Sequence, residues 1–173
     1  TSTSNLSLIL LRNNQVFNKL SIKIKNELSE IIIPTIKQFL KNNSITFQSI
    51  SLLVVGCGPG SFTSIRALIS AAKGIYLSNK HIKILGVNSL AGLAMSALNE
   101  AKNKNIEYII ASIDTKRNDQ FLQLFKVNNC NENMPPFSAI NNIEPIKLEN
   151  FSLYIKENKL VFENFLFVGF ISN

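Results

Sequence analysis

Residues 52–78, which read LLVVGCGPGSFTSIRALISAAKGIYLS, place an apolar segment, a glycine-rich turn and a helical pattern in direct succession. The run Leu52–Val55 is apolar on both faces, which is typical of a strand covered on both sides. The turn that follows contains Gly56, Gly58, Pro59 and Gly60. Ser61 then stands where a helix N-cap is preferred. The stretch therefore predicts a tight β-to-α turn of an α/β domain, and the free N–H groups at such a helix start would also suit an anion.

Periodicity elsewhere predicts two series of elements. The first series consists of a hairpin over 5–11 and 16–24, a helix over 27–41 that contains Pro34, the strand and helix of 52–78, a strand over 82–87 and a helix over 89–101. The second consists of strands over 106–114 and 119–127, a loop over 128–145 without an element, and a strand at 165–170. Because single helices separate the later strands of the first series, we expect these strands to pair in parallel.

Composition describes a globular chain of ordinary size. The 173 residues are 46% hydrophobic and 17% charged, which suits one domain or two small lobes. The net charge of +7 is spread over scattered lysines, so it is weak support for direct RNA binding. No apolar run reaches the ~18 residues of a membrane span, and the first residues lack the pattern of a secretory signal. We therefore expect a cytoplasmic protein.

The start of the second series is similar to the start of the chain. Asp114-Thr115 precedes a turn and an alternating strand, as Thr1-Ser2-Thr3 precedes the alternating residues 6–11. This similarity predicts an internal duplication, in which one strand that ends in an acidic residue would stand ahead of Thr1.

Four segments resemble the TsaB (YeaZ) family. They are GPGSFTSIR (58–66), AAKG (71–74), GVNSLAGLA (86–94) and IDTKRNDQF (113–121). The resemblance implies an α/β chain with the actin-like ATPase (ribonuclease H-like) fold, in which helices flank a mixed sheet. It also implies an N-terminal lobe over 1–104, a partial second repeat over 105–173, and a first strand that is missing from this sequence.

The family resemblance also implies a role. TsaB-like proteins are non-catalytic subunits of the machinery that makes N6-threonylcarbamoyladenosine at position 37 of tRNA. They pair with a TsaD-like transferase, join a TsaE-like ATPase, form homodimers, and meet tRNA through the complex. By this resemblance the chain holds no metal or cofactor of its own, and ATP or ADP would belong to the interface of the complex.

The residues agree with a role outside catalysis. An ATPase of this fold needs carboxylates for Mg²⁺ and water, whereas this chain has two aspartates, Asp114 and Asp119, in one turn. The Walker motif is absent, and the glycine turn lacks the dinucleotide spacing. A peptidase would need a nucleophile and base, but His81, the only histidine, falls in a polar turn and Cys57 has no basic neighbour in sequence. A small ATPase or kinase of the same fold remains the alternative.

The helix 62–78 has a stripe of small side chains. Its members, spaced by 3, 4, 3 and 4 residues, are Ser64, Ala67, Ala71, Gly74 and Ser78. Such a stripe lets a second helix approach closely, and this helix is either 27–41 of the same chain or a helix of another chain. The resemblance favours the other chain, with Ile32 and Ile36 of helix 27–41 sharing the interface. Ser64 and Leu68 stand where the family usually has glycines.

Arg66 and the loop ahead of it complete the predicted site. The loop near the interface contains Gly58, Pro59, Gly60 and Ser61. Arg66 lies one turn into the helix, where it would contact a partner or a phosphate, or else be solvated or form an ion pair with Glu27 or Glu30. The turn with Asp114, Lys116 and Arg117 is either a remnant of a phosphate-binding hairpin or a charged surface turn.

Overall fold

The computed structural model describes residues 5–24, 27–115, 117–128 and 135–169. The chain forms two compact units, Thr1–Asn88 and Ser89–Asn173. This division falls before the helix over 89–103, whereas the lobes expected from the sequence divide after residue 104. The helix groups with the second unit because its apolar face packs on the sheet of that unit.

The first unit follows the element order predicted from periodicity. Its elements are β1 (Asn5–Arg12), β2 (Gln15–Lys23), α1 (Leu28–Asn42), β3 (Leu52–Gly56), α2 (Phe62–Ser78) and β4 (Lys83–Val87), with a short 3₁₀ turn at Phe47–Ser49. The β1–β2 turn uses Asn13 and Asn14 with φ of 52° and 60°, the left-handed conformation that a two-residue hairpin turn requires. Pro34 lies inside α1 without ending it, and its side chain is exposed.

The strands of the first unit form two separate sheets. β1 and β2 are antiparallel, and β3 and β4 pair in parallel as expected. The mixed sheet flanked by helices that the family resemblance implies is present in the second unit, whereas among the described residues of the first unit no strand connects β1 to β3.

The core of the first unit lies between β1, α1 and α2. Leu6, Leu28 and Ile32 are its buried centre. Around them pack half-buried residues of both helices and both hairpin strands: Leu8, Ile22, Ile24, Ile31, Ile33, Ile36, Ala67, Leu68 and Ala71. Helices α1 and α2 of one chain are thus direct neighbours.

The second unit is built on a larger sheet. Its elements are α3 (Ser89–Asn103), β5 (Tyr108–Asp114), β6 (Asp119–Val127), β7 (Phe137–Ala139), β8 (Glu144–Lys147), α4 (Phe151–Glu157) and β9 (Phe165–Gly169), with a 3₁₀ turn at Leu148–Asn150. The expectation of no element over 128–145 was wrong, because β7 lies within it and β8 begins there. Both are short strands that pair with β6, and such short segments carry too little periodicity to be recognised.

Strand β5 is the centre of this sheet. It pairs antiparallel with β6 and parallel with β9, and β6 in turn carries β7 and β8 on its other side. One face of the sheet packs against α3 and the other against α4, in two separate apolar clusters. Covered on both faces and paired on both edges, Ile109–Ile113 of β5 is buried throughout.

Two close contacts of Ser112 lie inside this sheet. The Ser112 hydroxyl donates to the side-chain oxygen of Gln120, and Gln120 is 2% exposed. Gly169 of β9 lies directly against the Ser112 backbone, so a Cβ at this position would collide with the Ser112 carbonyl group. Its φ of 132° is in addition a conformation that favours glycine.

Candidate partner interface

The glycine-rich loop starts α2 as the sequence predicted. The Ser61 hydroxyl accepts a hydrogen bond from the Ser64 N–H at 3.4 Å, which makes Ser61 the N-cap. Gly58 is buried with φ of 96°, and a Cβ there would lie 2.7 Å from the Ile65 Cδ1. Pro59 and Gly60 connect Gly58 to Ser61. The loop therefore holds the first turn of α2 tightly against the end of β3.

The small-residue stripe of α2 lies in two different environments, one along its centre and one at its end. Ala67 and Ala71 pack against the cluster that contains Ile32, so the middle of the stripe accepts α1 of the same chain. At Gly74, no atom lies within 4 Å of an added Cβ, and Ser78 is exposed. The end of the stripe is thus open to a helix from outside, whereas its centre is occupied.

The two isoleucines predicted on α1 differ in the same way. Ile32 is 3% exposed and belongs to the core of the first unit. Ile36 is half-buried and keeps part of its surface accessible. Of this pair, Ile36 is the residue that has surface left for a partner.

Helix α2 also has an exposed stripe that sequence reasoning missed. This outer stripe consists of Phe62, Arg66, Ser70, Lys73 and Leu77, all exposed and spaced by 4, 4, 3 and 4 residues. Phe62 is 73% and Leu77 66% exposed, so a large apolar side chain stands at each end. The signal in the sequence was the spacing, since these two residues share one face of the helix and fall outside the small-residue stripe.

Arg66 stacks on its own helix rather than pairing with a carboxylate. Its guanidinium carbon lies 5.1 Å from the centre of the Phe62 ring, a cation–π contact. In the part of the chain that the structure describes, the ion pairs within 4.0 Å are Lys104–Glu100 and Lys147–Glu149. The alternative pairing of Arg66 with Glu27 or Glu30 is therefore not formed, and its charge faces solvent beside an aromatic ring.

The residues considered for catalysis are dispersed. Asp119 accepts a hydrogen bond from the Thr115 hydroxyl within the β5–β6 turn, and Lys116 of this turn lies outside the described residues. His81 is exposed, with its Nε2 3.1 Å from the Phe47 carbonyl oxygen. Cys57 is a free, exposed thiol. Within the described ranges, no three His, Cys, Asp or Glu side chains lie together as a metal site, and no helix is long and apolar enough to span a membrane.

Comparison with known proteins defines the class of the chain. Residues 22–169 match the family model described as TsaD, tRNA N6-adenosine threonylcarbamoyltransferase. The fold is similar to the solved structure of YeaZ from Pseudomonas aeruginosa, with a TM-score of 0.67 and 20% identity over 84% of this chain and 64% of that one. The class is the actin-like fold of the TsaD type, as the sequence predicted.

Relatives with a closer sequence define the branch. A TsaB protein of Buchnera aphidicola is 31% identical over 109 residues, which cover 63% of this chain and 48% of the relative. The TsaB protein of Bacillus subtilis is 29% identical over 130 residues, 75% of this chain and 54% of the relative. The chain belongs to the TsaD family, and within it the sequence is similar to the TsaB (YeaZ) proteins. It spans about half the length of the curated relatives it matches.

Proposed function

We propose that this chain takes part in the synthesis of N6-threonylcarbamoyladenosine in tRNA as a non-catalytic partner of a TsaD-like transferase. The relatives with similar sequence are described as tRNA threonylcarbamoyladenosine biosynthesis proteins, which supports the pathway. The observation that carries the partner role is the outer stripe of α2, which presents two large apolar side chains and two cations to solvent. Exposed aromatic and arginine side chains are the groups that most often dominate a binding interface.

The proposed interface combines the outer stripe with the open end of the small-residue stripe. Gly74 and Ile36 would let a partner helix come close, and Phe62 and Leu77 would be buried on association. Arg66 and Lys73 would face carboxylates of the partner, since α2 contains no acidic residue of its own. In this proposal the loop over 58–61 lies beside the partner and positions α2 without taking part in chemistry.

The chemistry in this proposal belongs to the transferase. Asp114 ends β5 and Asp119 begins β6, and the carboxylate of Asp119 already accepts a hydrogen bond from the Thr115 hydroxyl. A TsaE-like ATPase and a homodimer through the same helices are further associations that this role allows. The complex, in the cytoplasm, would be the species that meets tRNA.

A pair of matched variants tests the interface. Gly74→Trp on α2 should abolish co-purification with the cognate TsaD-like transferase, because the ring would occupy the space needed by the partner helix. Gly92→Trp on α3 is the control, since an added Cβ there also meets nothing within 4 Å. Both variants should keep the far-UV circular dichroism of the parent. A Gly74→Trp chain that binds the transferase as well as the parent would contradict the proposed interface.

A second measurement separates this role from that of a small ATPase. The purified chain alone should hydrolyse Mg-ATP no faster than the buffer blank, whereas the reconstituted complex should modify tRNA. Turnover by the isolated chain that disappears in Asp119→Asn would instead favour the ATPase alternative.

A further inference from the structure

One face of the β1–β2 hairpin is exposed along its whole length. The opposite face packs on α1, and there the Asn18 amide donates to the side chain of Asn43, the C-cap of α1, at 2.6 Å. Because successive side chains of a strand point to opposite faces, Phe17 and Lys19 lie on the side turned away from α1. This side of β1 and β2 is called the hairpin face below.

The hairpin face carries positive charge and no negative charge. Lys19 and Lys23 are exposed on β2, and Arg12 is exposed at the end of β1. Residues 5–24 contain no Asp or Glu. In the described part of the chain, the ion pairs within 4.0 Å involve none of these three cations. The fold thus gathers on one strand ribbon charges that are scattered in the sequence, and their partner would be an anion from outside.

A flat stacked pair of side chains lies at the turn end of the hairpin. The guanidinium carbon of Arg12 lies 4.3 Å from the centre of the Phe17 ring. Phe17 is the extra residue of a β-bulge, because the pairing register shifts between Leu10 and Leu11. It remains 46% exposed. Aromatic rings and guanidinium planes are the surfaces on which unpaired nucleobases stack.

The middle of the hairpin face favours RNA over a protein partner. Ile9 and Leu11 are 60% and 64% exposed, which alone would suit either. Lys19, however, lies directly opposite Ile9 in the pairing register, at the centre of the face. The centres of protein–protein interfaces are depleted of lysine, whereas single-stranded RNA is bound by positive charge beside side chains on which bases stack. The hydroxyl oxygens of Ser7 and Ser21, 3.4 Å apart across the two strands, add donors for phosphate.

We propose that the hairpin face binds single-stranded RNA, with Lys19 and Lys23 on phosphates and the Arg12–Phe17 pair stacked on an unpaired base. The eight residues of β1 extend over roughly 27 Å, so these contacts follow one another along the RNA strand. The proposal deepens the proposed function and rests on it for the identity of the RNA, since tRNA offers unpaired bases in its anticodon loop. The chain itself would then hold part of the substrate.

Charge-reversal variants test the phosphate contacts. The purified chain is titrated into a labelled anticodon stem-loop RNA, and fluorescence anisotropy is measured at several salt concentrations. Lys19→Glu combined with Lys23→Glu should weaken binding about tenfold or more and flatten the salt dependence of the affinity, because two phosphate contacts are lost. Lys126→Glu combined with Lys156→Glu changes two exposed lysines of the second unit and should bind nearly as well as the parent. An equal loss in both double variants would reduce the effect to net charge and overturn the site.

Removal of the aromatic ring tests base stacking. Phe17→Ala should weaken binding of the stem-loop about fivefold or more. Phe162→Ala, which removes a ring that is 88% exposed in the second unit, is the matched control and should leave binding unchanged. A fully paired RNA duplex should bind more weakly and be insensitive to Phe17→Ala, because its bases are already stacked. Unchanged stem-loop binding by Phe17→Ala, or displacement of the RNA by polyglutamate at equal charge concentration, would overturn the proposal.

Two further readouts separate this site from the proposed function. The hairpin variants should keep the far-UV circular dichroism of the parent and still co-purify with the transferase, because the outer stripe of α2 is unchanged in them. Loss of the transferase with RNA binding intact would assign the hairpin face to a protein partner and overturn the RNA site. The RNA assay contains no transferase, so a chain that does not bind the stem-loop would refute this site alone.

Discussion

At the scale of single residues, Gly58 is the position where the loop has least freedom. A side chain there would combine φ of 96° with a Cβ 2.7 Å from Ile65. Gly58→Ala should therefore lower the free energy of unfolding by about 1–3 kcal/mol, measured by urea denaturation. In the double variant with Ile65→Ala the collision disappears and only the backbone strain remains, so the two losses should be less than additive. Full additivity would contradict the contact.

The buried phenol of Tyr154 should make the free energy of unfolding depend on pH in the alkaline range. Burial raises the pKa of its phenol above 10.0, a hydrogen bond with Asn141 lowers it, and the charge of Glu144 raises it further. Because the folded state prefers the protonated phenol, its contribution is complete below pH 10 and is lost as pH rises through the folded pKa. Urea denaturation between pH 8 and 11 should show this loss in the parent. Tyr154→Phe should show a flatter profile, and an equal slope would exclude Tyr154 as its source.

At the scale of elements, the exposed glycine of α2 costs helix stability. Gly74 is in the helix interior with open space around it. Its backbone therefore loses conformational entropy on folding, and no close packing contact offsets that loss. Gly74→Ala should stabilise the isolated chain by about 0.5–1 kcal/mol in thermal denaturation. Gly92→Ala on α3 is the matched change and should have a similar effect. A loss of stability at Gly74 alone would show that something already contacts this position.

The same elements show what sequence reasoning reached. Helix α2 was predicted with its observed bounds, since a serine cap, a glycine turn and a regular apolar period all agree on them. Packing alone left the neighbour of its small-residue stripe open between α1 and another chain, because side-chain size does not say which helix packs there, and only the family resemblance favoured the other chain. The short strands β7 and β8 were missed, since their pairing with β6 depends on distant residues rather than local pattern.

At the scale of the whole molecule, the two units should differ in stability. β5 is paired on both edges and covered on both faces, whereas β3 is paired on one edge and partly exposed. Native-state hydrogen exchange should therefore be slowest at Ile109–Ile113 and markedly faster at Leu53 and Val55. Equal protection in both places would mean that the two units unfold as one.

The contact of Gly169 with Ser112 limits which mutations of codon 169 a folded protein can tolerate. Any side chain at this position would meet the carbonyl group of the neighbouring strand, and every single-base change that alters a glycine codon's meaning introduces a side chain or a stop. We therefore expect no missense change at this position to be compatible with the fold. In a library of random variants selected for folded protein, we expect codon 169 to retain only synonymous changes.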